Sequence, residues 1–143
     1  MKIVASMICM AASAALAVAG TAADAKAMAP KLVMKVNAAS VMVVKSAHGL
    51  RLCAVGTVPT GGWTKPTLTP LVYVHAPTDG IYDFDFDATP PSGIVTQGLT
   101  IVRAFKVWPN APKSVKGVRI HGANNAVVAM LGPLPTTCLR GAR

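Results

Sequence analysis

The chain of 143 residues contains no glutamate and only five aspartates, against 14 lysines and arginines. The missing glutamate removes the usual carboxylate for general acid–base work. It also removes the residue that closes a calcium loop. The three histidines, His48, His75 and His121, stand singly. No H-x-x-x-H pair and no neighbouring cysteine gives them zinc-ligand spacing. Ser92 lies in Pro-Pro-Ser-Gly, which is not a nucleophile elbow. These absences argue against an enzyme and against a bound cofactor. The chain also lacks internal repeats, low-complexity tracts and any sustained helical period in its later part.

Long apolar runs are scarce too, and the single one lies at the start. Lys2 precedes an alanine-rich stretch from Ile3 to Ala19, and Ala23-Asp24-Ala25 follows. A basic start, a short hydrophobic core and an A-x-A site are the layout of a bacterial-type secretory signal peptide. The run is short for a bilayer span, which needs ~20 residues. Ile8 before Cys9 is no lipobox. The expectation is a signal peptide over residues 1–25, cleavage at Ala25/Lys26 with Ala23/Asp24 and Ala27/Met28 as alternatives, and a single domain over 26–143 in the periplasm or outside the cell. No membrane anchor remains after cleavage.

Removal of Cys9 with that segment leaves Cys53 and Cys138. In an oxidising compartment these two are expected to form a disulfide that closes most of the domain. The segment beyond Ala25 carries 13 Lys and Arg against four Asp, a net charge of +9. Such a chain attracts polyanions without recognising them. An anionic envelope polymer is therefore one expected class of partner, a protein is another, and no specific nucleic acid is indicated.

Strand-length apolar runs divided by Gly, Pro and Asn clusters predict an all-β domain. Lys31–Val36 alternates; Val41–Lys45 follows a break at Asn37–Ser40; Leu50–Val58 carries Cys53. Pro59–Pro66 reads as a loop and Thr67–Ala76 as the next strand, an edge strand because of Pro70. Asp79-Gly80 is a turn into Ile81–Ala88, the clearest alternation in the chain. Ile94–Trp108 reads as two strands bent near Gly98, and Val115–His121 with Ala126–Leu131 as a hairpin. About eight strands and a long-range disulfide predict an antiparallel, immunoglobulin-like β-sandwich, with a small β-barrel as the alternative.

Three features are candidates for function. In Asp83-Phe84-Asp85-Phe86-Asp87 the two-residue period puts three carboxylates on one face and Phe84 and Phe86, with Tyr82, on the other. Asp83, Asp85 and Asp87 are a weak metal candidate. Ala88 stands where a calcium loop needs glycine, and a straight strand sends its ligands out in parallel. The competing reading is a strand face answered by cations from a neighbour, with Arg103 and Lys106 as the donors. A second feature is a basic later half, Arg103, Lys106, Lys113, Lys116 and Arg119 with Arg140 and Arg143 at the end. Phosphate or sulfate groups could dock there with Trp108 near in sequence for stacking; the competing reading is a solvated face.

The third is Pro59-Thr60-Gly61-Gly62-Trp63, where glycines permit close approach and tryptophan offers a flat face to a sugar ring or a protein pocket. The opposing reading has Trp63 folded back over one end of the sandwich. These five residues resemble the P-T-x-G-aromatic loop of the chagasin-like cysteine-peptidase inhibitors, small immunoglobulin-like domains. The resemblance implies a loop that wedges into a peptidase cleft without chemistry. It ends there: the glycine-rich second loop and the Arg-Pro-Trp third loop of that family have no counterpart, and Val107-Trp108-Pro109 has another order. The sequence therefore predicts an exported domain that acts by binding, with a peptidase-inhibitor-like loop at 58–66 or an affinity for anionic polymer or carbohydrate as the alternatives.

Overall fold

A computed structural model describes residues 28–44, 49–132 and Cys138. The predicted signal peptide lies outside the described residues. Among the described residues eight strands occur: β1 Lys31–Leu32, β2 Lys35–Val44, β3 Gly49–Thr60, β4 Thr64–Pro70, β5 Ile81–Thr89, β6 Gln97–Pro109, β7 Gly117–His121 and β8 Ala126–Met130. They form a five-stranded sheet around β5 and a three-stranded sheet in the order β2-β3-β6, packed face to face. The architecture is an all-β sandwich and not a closed barrel.

β5 is the centre of the larger sheet. Its sequence alternates strictly, and Tyr82, Phe84, Phe86 and Ala88 are buried while the residues between them face outward. Asp87 pairs with Leu32 of β1 and with Thr67 of β4, so β1 and β4 lie on opposite edges of β5. β7 shares the β1 edge and runs parallel to β5, with Tyr82 opposite Val118 and Asp83 opposite Arg119. A parallel pair needs a crossover, and here the crossover contains β6 in the opposite sheet. All other ladders are antiparallel.

The smaller sheet is built on β3, which is covered on both faces. Leu50, Leu52, Ala54 and Val58 face Phe84 and Phe86 in the main core. Full burial of each phenylalanine stabilises the fold by about 1.5–3 kcal/mol. Gly56 lies in this row for a steric reason. A Cβ there would stand 2.6 Å from Val33 Cγ1, 2.8 Å from the Lys35 carbonyl oxygen and 2.8 Å from Phe86 Cε1. The missing side chain is the space that Phe86 fills.

Cys53 and Cys138 are bonded, with Cα atoms 6.2 Å apart. The bond lies on the outer face of the smaller sheet, where the two cysteines bury Val55 against Ala38, and the Ser40 hydroxyl approaches Cys138 Sγ at 3.3 Å. It does not run between the sheets, as the disulfide of antibody domains does. At the β2/β8 corner the sheets meet through a bridge between Val41 and Leu131, and the Gly132 N–H donates to the Val41 carbonyl at 3.1 Å.

Several strand boundaries differ from the sequence expectation. Lys31–Val36 is divided because the chain changes sheets at Val33, whose N–H donates to Phe86 O at 2.8 Å and whose carbonyl accepts from Ala123. Asn37–Ser40 is no break. β2 runs through it with a bulge between Val36 and Ala38, and Asn37 Nδ2 donates to Thr57 Oγ1 at 2.7 Å. β3 and β4 extend into the expected 59–66 loop and leave only Gly61–Trp63 between them. β4 stops at Pro70, on the edge where proline is tolerated. β6 is one strand of 13 residues that passes through Gly98.

Candidate binding surface and the Asp83 cluster

The parallel register of β5 and β7 decides what the acidic face touches. Arg119 stands opposite Asp83, and His121 opposite Asp85, on the outward side of the larger sheet. Arg119 Nη1 donates to Asp83 Oδ1 at 3.1 Å, and His121 Nε2 lies 2.7 Å from the same oxygen. The carboxylate can only accept, so Nε2 carries the proton. Oδ2 accepts from the Tyr73 hydroxyl, which in turn accepts the Asp83 backbone N–H at 3.0 Å. Tyr73 comes from the segment after β4, which is further tied by the Leu71 N–H to Asp83 O at 3.0 Å.

Burial of Asp83 acts to raise its pKa, but hydrogen bonds from Tyr73, His121 and Arg119, with the Arg119 charge, outweigh it and hold the carboxyl below its ordinary value. The Tyr73 hydroxyl is pushed up by burial and by its bond to the same carboxylate. Asp87 behaves in the opposite way: burial and the nearby Asp85 raise it, against a hydrogen bond from Thr69.

The donors that answer Asp83 on this face are thus Arg119 and His121, not Arg103 and Lys106. The latter two belong to β6 in the other sheet, and no rotamer carries them across the sandwich. Both Asp83 oxygens are occupied by protein donors, and among the described residues no group of three His, Cys or Asp side chains is arranged to hold a metal ion. Among the described hydrogen bonds, the one His121 makes goes to Asp83. The cluster fastens the 71–80 segment to β5.

Pro59, Thr60, Gly61, Gly62 and Trp63 sit at the end of the sandwich where β3 and β5 finish and β6 begins. Trp63 is turned back: Nε1 donates to Thr60 Oγ1 at 3.1 Å and the ring packs on the main core. Gly62 takes a left-handed φ of 78°, and its open side receives a neighbouring loop, residues 90–96. A Cβ on Gly62 would lie 2.9 Å from Val95 Cγ1 and 3.1 Å from Pro91 Cβ. The Gly61 N–H donates to Thr96 O at 3.0 Å. The two loops thus form one unit around an open groove of about 460 Å³ lined by Met28, Gly62, Thr64, Pro91, Ile94 and Val95.

What projects from this unit is not Trp63 but Ile94, which is fully exposed at 106% of its reference area; Leu99, near the start of β6, is 73% exposed. Sequence reading placed Ile94 inside a strand and missed it. The signal available was its position just after Pro90-Pro91-Ser92-Gly93, a run that cannot pair as a central strand. Lys31, opposite Ala88, and Lys65, next to Thr64 opposite Thr89, flank the end of β5 and are both exposed. Lys35, opposite Thr57, is exposed near the same end.

The remaining predicted residues do not join this surface. Trp108 is at the other end of β6, opposite Leu50, and packs edge-to-face on Tyr82 and Phe84 with centroids 5.3 and 5.2 Å away. Arg103 lies on the exposed outer side of β6, whereas Lys106 shares the inward register of Ala104 and Trp108. The three therefore form no common anion site. No family model, no curated protein and no solved structure matches this chain.

Proposed function

We propose that the protein is an exported domain that acts by binding, and that its contact surface is the end of the sandwich formed by the Gly61–Trp63 and Pro90–Thr96 loops. The observation that carries this reading is Ile94: a large aliphatic side chain held wholly in solvent by a proline-rich loop that is itself packed against Gly62. An apolar group so displayed contributes nothing to the fold, and burial against a partner is the stabilisation open to it. The turned-back Trp63 favours this surface over a wedge centred on the 58–66 loop. Export is supported by the signal-like residues 1–25 and by a disulfide that suits an oxidising compartment.

The test is retention of envelope components by the oxidised domain at moderate salt, compared between wild type and Ile94→Asp. Because Ile94 touches no core residue, the variant should melt as the wild type does. Components held by the wild type and released by Ile94→Asp are the expected result. Equal retention by the two proteins rules out this surface.

A further inference from the structure

The loop end combines exposed aliphatic groups with lysines. Ile94, Leu99 and Met28 are exposed there, and the strand registers place Lys31, Lys35 and Lys65 near the same end. Charge is sorted across the molecule: every aspartate beyond Asp24 lies on β5 or in the turn before it. Of these, Asp87 is the one nearest the loop end, and it is directed outward between β1 and β4. The Gly61 N–H donates to Thr96 O and joins the two loops, and the Trp63 indole donates to Thr60 Oγ1. The loop end has an apolar tip with lysines near it, the two elements of peripheral attachment to an anionic bilayer.

Resting on the reading of this end as the contact surface, we propose that it docks on an anionic phospholipid surface. Ile94 and Leu99 enter the acyl layer and Lys31, Lys35 and Lys65 meet the headgroup phosphates. A water-soluble polyanion would use the lysines and leave Ile94 idle. A bilayer uses both, and the net charge of +9 favours the approach.

The described elements and the disulfide all lie beyond residue 27, so the chain from Lys26 onward contains the whole described fold. That protein, oxidised, is sedimented with vesicles of phosphatidylcholine alone and of phosphatidylcholine mixed with phosphatidylglycerol. Binding to the mixed vesicles is expected. Ile94→Asp should weaken it at least about tenfold, as expected when one large aliphatic side chain is kept out of an apolar phase. Lys31→Gln and Lys65→Gln should each weaken it about fivefold.

Position is read by brominated acyl chains, which should quench Trp63 in the Trp108→Phe protein and leave Trp108 bright in the Trp63→Phe protein, because the two indoles stand at opposite ends. Absence of binding to mixed vesicles overturns the proposal. So does binding that Ile94→Asp leaves intact, which is charge attraction alone, or quenching confined to Trp108. Should vesicles fail while envelope proteins are still retained through Ile94, the lipid assignment falls and the contact surface stands. If neither depends on Ile94, both fall.

Discussion

Replacing Asp83 by asparagine tests the cluster that ties the 71–80 segment to β5. The wild-type carboxylate is mostly buried, with 16% of its side chain exposed, and accepts from Tyr73, Arg119 and His121. Hydrogen bonds to a charged group contribute about 1.5–3 kcal/mol when one partner is removed. Arg119 and His121 are each 36% exposed and recover most of their loss from water, so they add about 0.5 kcal/mol apiece. The Tyr73 bond is the larger part, and the total expected loss is about 2–3 kcal/mol at pH 7. The pH dependence fixes the cause. The Asp83 carboxyl is held below its ordinary value, so its contribution is complete above the unfolded pKa and disappears as the acid form takes over in the fold, below about pH 4. Urea unfolding of both proteins from pH 7 down to pH 2 should show the gap constant to about pH 5 and closing below it. Tyr73→Phe should cost about 1–2 kcal/mol in the wild type and clearly less in Asp83→Asn, where the bond to the carboxylate is already gone and only the one from the Asp83 N–H is left to lose. A gap that persists undiminished at pH 2, or strict additivity of the two substitutions, would refute the reasoning.

Replacing Cys53 and Cys138 together by alanine opens a loop with 85 residues of sequence separation and should lower stability by about 4–5 kcal/mol in the chain-entropy account. A loss below about 1 kcal/mol in urea unfolding would show that the outer-face bond constrains little. Gly56→Ala introduces a Cβ into contacts of 2.6–2.8 Å, one of them with a backbone carbonyl that cannot rotate away. It should cost about 1–3 kcal/mol, with a matching fall in Tm; an unchanged Tm contradicts the packing described. Asp87→Asn has the opposite sign. Burial and Asp85 disfavour the Asp87 charge, so that penalty is absent at acid pH and appears as pH rises through the raised folded pKa. The variant should gain a few tenths to about 1 kcal/mol at pH 7 and nothing at pH 3; a loss at pH 7 would mean that the Thr69 hydrogen bond outweighs the repulsion.

How far the sequence could be read depended on whether the cause of a feature was local. The five residues Asp83–Asp87 announce β5 because a two-residue period is a property of neighbouring residues, and the buried and outward rows fall where that period puts them. The cysteine pair was legible from count and the expected compartment, but not its place on the outer face, which follows from the register of β3 against β2 and β6. Arg119 was not legible as the partner of Asp83. Nothing near either residue shows that the chain crosses to the other sheet as β6 and returns parallel, and this crossover alone brings positions 36 residues apart into one ion pair. The same limit explains the exchange of Trp63 for Ile94. An aromatic residue in a glycine loop looks like a contact group, yet Thr60, three residues back, supplies its hydrogen bond, and the core beneath supplies its packing. Ile94 has the composition of a strand residue, and only the meeting of Pro91 and Val95 with Gly62 holds it clear of the sheet. A residue's chemistry therefore said what it could contact; which side chain reached the surface was decided by how two loops distant in sequence packed together.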